Sequence, residues 1–162
     1  MFWEDVPLGE EVSVGSWTFT QDEIIAFAKK YDPQPFHIDL EAAKTHEFGG
    51  IVASGFHVGS IWMKLMVENR IKAAPKAPAV TSGGAKPASS AGVSPGFKKM
   101  RWHLPVRPGD TLTYSSTSWR KINMGSRKDI GIVQSKSVGI NQHGEVAFSF
   151  IGQGIYPKRV QD

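Results

Sequence analysis

Cysteine is absent from the 162 residues. Its absence excludes disulfides, cysteine nucleophiles and thiolate metal sites, and fits a protein of the reducing cytoplasm. No apolar run reaches the roughly 18 residues of a membrane-spanning helix. The opening "MFWEDVPLGEE" carries acids where a secretory signal carries basic residues. A soluble, cytoplasmic chain with no membrane partner is therefore expected. Charge of one sign is also in short supply: 19 basic against 15 acidic residues leave a net charge of +4. The basic residues are scattered, apart from "KKMR" at 98–101, and no recognition-helix or zinc pattern accompanies them. Nucleic acid is not an expected partner. The histidines do not combine with carboxylates at ligand spacing, so no metal is expected.

What is present is an ordinary globular composition, 40% hydrophobic and 21% charged, of a length that suits one domain over residues 1–162. Residues 10–19, "EEVSVGSWTF", alternate as a strand does. Thr20 and Glu23 then form a capping box, and Ile24, Phe27, Ala28 and Tyr31 recur at helical spacing. That helix ends at Tyr31 or Asp32, because Pro33 disfavours helical geometry before it. A short helix capped by Asp39 is expected over 39–47. "FHVGSIWMKLMVENRI" at 56–71 is apolar on nearly every face, which predicts a helix buried by the rest of the chain. Residues 72–96 read as a Pro, Ala, Gly, Ser and Lys loop. Four strand patterns follow, at 97–106, 111–119, 129–140 and 146–156, with turns at "RPGD" and "NQHGE". One strand before the helices and four after predict an α+β domain, an antiparallel sheet wrapping a central helix.

Two stretches bear on chemistry. In "YDPQPFHID" the prolines at 33 and 35 restrain their neighbours, so the segment reads as a stiff, extended ledge. It holds Asp32 and His37, the pairing that acid–base work needs: an imidazole that exchanges protons near neutral pH and a carboxylate to orient it. The plainer reading is a turn starter and a cap. "GGIVASGF" at 49–56 leads into the buried helix. Helix N-terminal amides lack internal partners, and Gly55 admits a substrate oxygen to them. The plainer reading is glycines that only permit a tight turn. His57 is expected to pack against the sheet, His46 is a candidate pocket residue, and His103 and His143 are expected in solvent.

"DPQPFHIDLEAA", "FGGIVASGF" and "LPVRPGDTL", in that order, resemble the MaoC-like dehydratases, the (R)-specific enoyl-CoA hydratase type of the hot-dog superfamily. The likeness runs over about residues 8–156. Asp32, Pro35 and His37 match the family's Asp-x-Asn-Pro-x-His pattern, and Gly55 follows His37 by eighteen positions, as the family glycine does. The resemblance implies a hot-dog fold with a curved sheet around a long helix. It also implies a homodimer, or a higher homo-oligomer, with thioester sites at the interface. The implied reaction is hydration of a trans-2-enoyl-CoA, or of the acyl-carrier thioester, to the (R)-3-hydroxyacyl product, with no cofactor. Asp32 and His37 would activate water, and the Gly55 amide would hold the thioester oxygen. Gln34 stands where the family has Asn, and Ser54 where characterised hydratases often have His. Both are expected at the substrate, and Ser60 is expected to hydrogen-bond near Asp32. Two rival readings remain within this fold: a thioesterase, and a non-catalytic acyl-thioester-binding module.

Overall fold

The computed structural model describes residues 1–73 and 93–159. Strand β1 (Glu11–Thr18) leads to Thr20, whose hydroxyl accepts from the Glu23 amide while the Glu23 carboxylate accepts from the Thr20 amide. This reciprocal cap contributes about 0.5–2 kcal/mol and starts helix α1 (Gln21–Tyr31) at the residue the sequence indicates. Two short helices follow, α2 (Pro35–Ile38) and α3 (Leu40–Thr45), and then the long α4 (Gly55–Ala73). Strands β2 (Gly96–Trp102), β3 (Thr111–Asn123), β4 (Ile130–Ile140) and β5 (Val146–Pro157) complete the chain. Most of the loop expected over 72–96 lies outside the described residues; at its margins, α4 continues to Ala73 and β2 begins at Gly96.

The five strands form one antiparallel sheet in the order β1-β3-β4-β5-β2, which leaves β1 and β2 as its edges. Helix α4 packs on one face. Val58 and Ile61 from the helix meet Leu112, Tyr114, Phe148 and Phe150 from the sheet in a single core. The Tyr114 hydroxyl donates to the Val58 carbonyl at 3.1 Å, pinning the first turns of α4 to β3. Burial pushes that phenol's pKa well above its ordinary value, so it remains a donor.

One expectation changes here. Helix α4 is not enclosed on every side: Phe56, Met63, Val67 and Ile71 form an exposed apolar stripe along its outer face. On β4, the residues turned to the core are Gly131, Val133, Ser137 and Gly139, whereas Ile130, Ile132, Val138 and Ile140 are half-buried on the opposite face. Gly139 is required at its position, because a Cβ there would lie 2.9 Å from the Tyr114 ring. Large side chains on β3 and β5 occupy the space that β4 leaves empty.

Candidate active site

The segment carrying Asp32 and His37 is only half extended. Asp32 (φ −153°, ψ 68°) and Gln34 (φ −71°, ψ 138°) are non-helical, but Pro35 opens α2. The fixed φ of proline suits the first helical position, where its missing N–H costs nothing. The expected ledge is therefore an extended Asp-Pro-Gln followed by one helical turn, and that turn aims His37 inward.

His37 is buried, and its Nδ1 lies 2.6 Å from the Val52 carbonyl. A carbonyl only accepts, so Nδ1 carries the proton and donates it. In the neutral imidazole Nε2 is then the free basic nitrogen, and it lies 3.4 Å from Asp32 Oδ2. Ser54 donates its hydroxyl to the same Oδ2 at 2.7 Å, and Gln34 Nε2 donates to Oδ1 at 2.9 Å. Burial pushes the Asp32 carboxyl up, but the bonds from Ser54 and Gln34, with the charge of His37 opposite, outweigh it and hold the pKa below its ordinary value. A depressed folded-state pKa means that ionised Asp32 stabilises the fold above its unfolded value of about 3.9. That contribution disappears as pH falls through the folded value.

Val52 and Ser54 belong to the buried segment that runs into α4, which is tied to the sheet by the Ala53 amide donating to the Val106 carbonyl at 2.7 Å. Ser54 caps α4, its carbonyl accepting from the Val58 amide. The Gly55 amide, first of the helix, has no acceptor among the described residues. A cavity of about 450 Å³ brings Asp32, Gln34 and His37 together with Gly55, walled by apolar side chains that include Phe36, Phe56, Trp102 and Leu104.

Of the other three expected residues, only Gln34 lines the cavity. Ser54 is fully buried and spends its hydroxyl on Asp32 instead of facing substrate. Gln34 reaches the cavity, but its amide nitrogen is also held by Asp32. Ser60 is exposed and lies outside the cavity, one turn beyond Phe56 on the outer stripe of α4, so it does not reach Asp32. His46 stacks on Phe36 behind the cavity wall. His57 stacks on Phe27 of α1 and meets the Phe19 ring edge-on, and burial lowers its pKa. His103, expected in solvent, is exposed but lines the cavity, with Nε2 2.8 Å from the Ser149 hydroxyl. Trp102 and His103 were missed as site residues; their only signal was their place immediately before the recognisable "LPVRPGD". Among the described residues, no group of three or more His, Asp or Glu side chains gathers as a metal site, and no helix is long and apolar enough to cross a membrane.

Comparison with known proteins places this arrangement. A crystal structure of a MaoC-like dehydratase from Rhodospirillum rubrum is 34% identical, with 99% of each chain covered and a TM-score of 0.79. The structure of a monoamine oxidase regulatory protein from Archaeoglobus fulgius is 25% identical over 99% of this chain and 96% of that one, with a TM-score of 0.83. An (R)-hydratase from A. caviae involved in PHA biosynthesis, 19% identical, shares the fold over 94% of this chain and 98% of that one, with a TM-score of 0.66. The uncharacterised protein YdeM of Bacillus subtilis (strain 168) is 35% identical over 65 residues, a match spanning 40% of this chain and 46% of that protein. The sheet and its central helix are thus a hot-dog fold, α+β in class. The model of the MaoC like domain matches residues 5–138, a span that holds Asp32, His37 and Gly55 together with the cavity wall, and the chain belongs to that family.

Proposed function

We propose that the protein adds water to a trans-2-enoyl thioester, giving the (R)-3-hydroxyacyl thioester, and catalyses the reverse dehydration. One observation carries this reading. The Asp32–His37 pair, with the His37 tautomer set by Val52, shares a cavity with the unpartnered amide at the head of α4. A water between Asp32 and His37 Nε2 is held by two acceptors. As its oxygen bonds to Cβ, one proton passes to Nε2, and Asp32 stabilises the imidazolium. The same proton then goes to Cα. The substrate gains H and OH, and the enzyme ends as it began. Negative charge developing on the thioester oxygen is met by the Gly55 amide, a donor of the kind whose loss costs about 10²–10³ in rate. No cofactor is needed for these steps. The carrier is coenzyme A or an acyl-carrier protein.

The test follows two signals with crotonyl-CoA and longer enoyl-CoAs: loss of the conjugated double bond, and release of free thiol. Bond loss without thiol supports hydration, and thiol release supports a thioesterase. Binding with neither signal leaves an acyl-thioester-binding module. Ser54→Ala should move the acid limb of the kcat/KM profile to higher pH, because it removes the strongest interaction lowering the Asp32 pKa. An acid limb that does not move would separate Asp32 from that limb.

The working form is a homodimer. Phe56, Met63, Val67 and Ile71 expose apolar surface along one side of α4, and β2 presents an edge that is unpaired among the described residues. Surfaces of this kind mark interfaces. Sedimentation should show a dimer for the natural chain and a monomer for Met63→Glu/Val67→Glu. A monomeric natural chain would refute this.

A further inference from the structure

We propose that Trp102 is the positioning and specificity residue of this site: it holds the Gly55 amide in register with Asp32 and closes the apolar side of the cavity against bulky acyl groups. The inference rests on the hydratase reading. The Ser54–Gly55 peptide, which bears the candidate donor, is fixed at both ends. On one side the Ser54 hydroxyl is bound to Asp32 at 2.7 Å. On the other, the Trp102 indole N–H donates to the Gly55 carbonyl at 2.8 Å. The bond from Trp102 is additional to what a helix supplies, since a carbonyl in the first turn already has an intrahelical donor. One acid and one indole therefore set the donor's distance from the base, and a displacement of about 1 Å in such an arrangement can cost on the order of 10²-fold in rate.

The ring also explains the glycine. Gly55 does not occupy the left-handed region, so its backbone suits any residue, yet a Cβ there would lie 2.5 Å from Trp102 Cε2 and 2.6 Å from Nε1. It is the indole that demands a bare Cα. Trp102 ends the edge strand β2, is 45% exposed, and has Phe56 beside it with ring centroids 5.9 Å apart. Its inner flank lines the cavity. A tryptophan so open contributes less by burial than by what it holds and what it shuts out.

The experiment is a double-mutant cycle read in two ways. Thermal unfolding is measured for Gly55→Ala, Trp102→Ala and the double variant. Gly55→Ala should lower the midpoint by roughly 5–10 °C alone, and by about 2 °C or less when Trp102 is already Ala. In turnover of enoyl-CoAs of increasing chain length and branching, Trp102→Phe keeps a ring but drops the N–H. It should lower kcat about tenfold with KM within about twofold, since only the donor's placement changes. Trp102→Ala should in addition shift preference towards larger acyl groups. An equal cost of Gly55→Ala in both backgrounds would overturn the clamp. An unchanged kcat in Trp102→Phe, or an unchanged acyl profile in Trp102→Ala, would overturn the catalytic and selective roles. If the natural chain turns over no enoyl thioester, the hydratase reading fails and those roles fail with it, while the unfolding cycle still decides the clamp.

Discussion

Asp32→Asn is expected to slow enoyl-thioester hydration by about 10²–10⁴-fold, the range for losing a positioned acid–base partner, while moving the unfolding midpoint by no more than a few degrees. The substitution is isosteric, and the Asp32 side chain is 22% exposed, so packing changes little. What changes is charge, and with it one of the two acceptor oxygens that take bonds from Ser54 and Gln34. The imidazolium formed when Nε2 takes a proton from water loses its counter-ion 3.4 Å away. His37→Ala should be at least as damaging to the rate but less clean. It leaves the buried Val52 carbonyl without the donor now 2.6 Å away, and an orphaned buried acceptor costs about 1–3 kcal/mol. The measurement is disappearance of the conjugated double bond for the natural chain and both variants, with unfolding curves alongside. An Asp32→Asn protein within threefold of the natural rate would remove the carboxylate from the mechanism. So would a collapse in stability that accounted for the whole loss.

The skeleton of this pair was legible because it is local. Thr20 with Glu23 announces a helix start, Pro33 its end, and the spacing from Asp32 to His37 is short enough for the backbone alone to fix. The coupling across the chain was not legible. Nothing in the neighbourhood of residue 54 says that its hydroxyl will reach a carboxylate 22 positions earlier, and that contact was expected of Ser60 instead. Helical phase separates them: Ser60 lies on the outer stripe of α4, while Ser54 precedes the helix and turns inward. The core face of β4 was not legible for a related reason. Alternation reports two faces without saying which is the core, and four isoleucines and valines look more core-like than Gly131, Ser137 and Gly139. The choice was made elsewhere: a Cβ at Gly139 would meet Tyr114 and Phe148, and one at Gly131 would meet Trp3. Trp102 escaped notice because its role is a contact with a helix terminus 47 positions earlier.

Phe148→Ala should be the most destabilising single change in the core, by about 3–5 kcal/mol. The side chain is fully buried. It packs beside Phe150 with ring centroids 5.5 Å apart, and its ring lies under Gly59 of α4, where a Cβ would meet it at 3.7 Å. Two of its neighbours, Gly139 on β4 and Gly59 on α4, are glycines with no side chains to swing into the space, so much of the cavity would persist. Domains of this size are stable by about 5–15 kcal/mol in total, and each kcal/mol moves the midpoint by roughly 2–4 °C. A drop of about 6–20 °C is therefore expected in a thermal scan. Val146→Ala on the same strand, 40% exposed, should stay within about 0.5 kcal/mol of the natural chain. The two variants together test the packing rather than strand propensity. A Phe148→Ala midpoint within 2 °C of the natural protein would mean that α4 does not sit on this ring. The Phe148 ring also lies 6.3 Å from the Trp102 ring, so the void would open directly beneath the clamp on Gly55. The rate at temperatures where the variant is still folded should fall as well, in kcat more than in KM, because the support of the donor would be lost before the cavity that binds the acyl group.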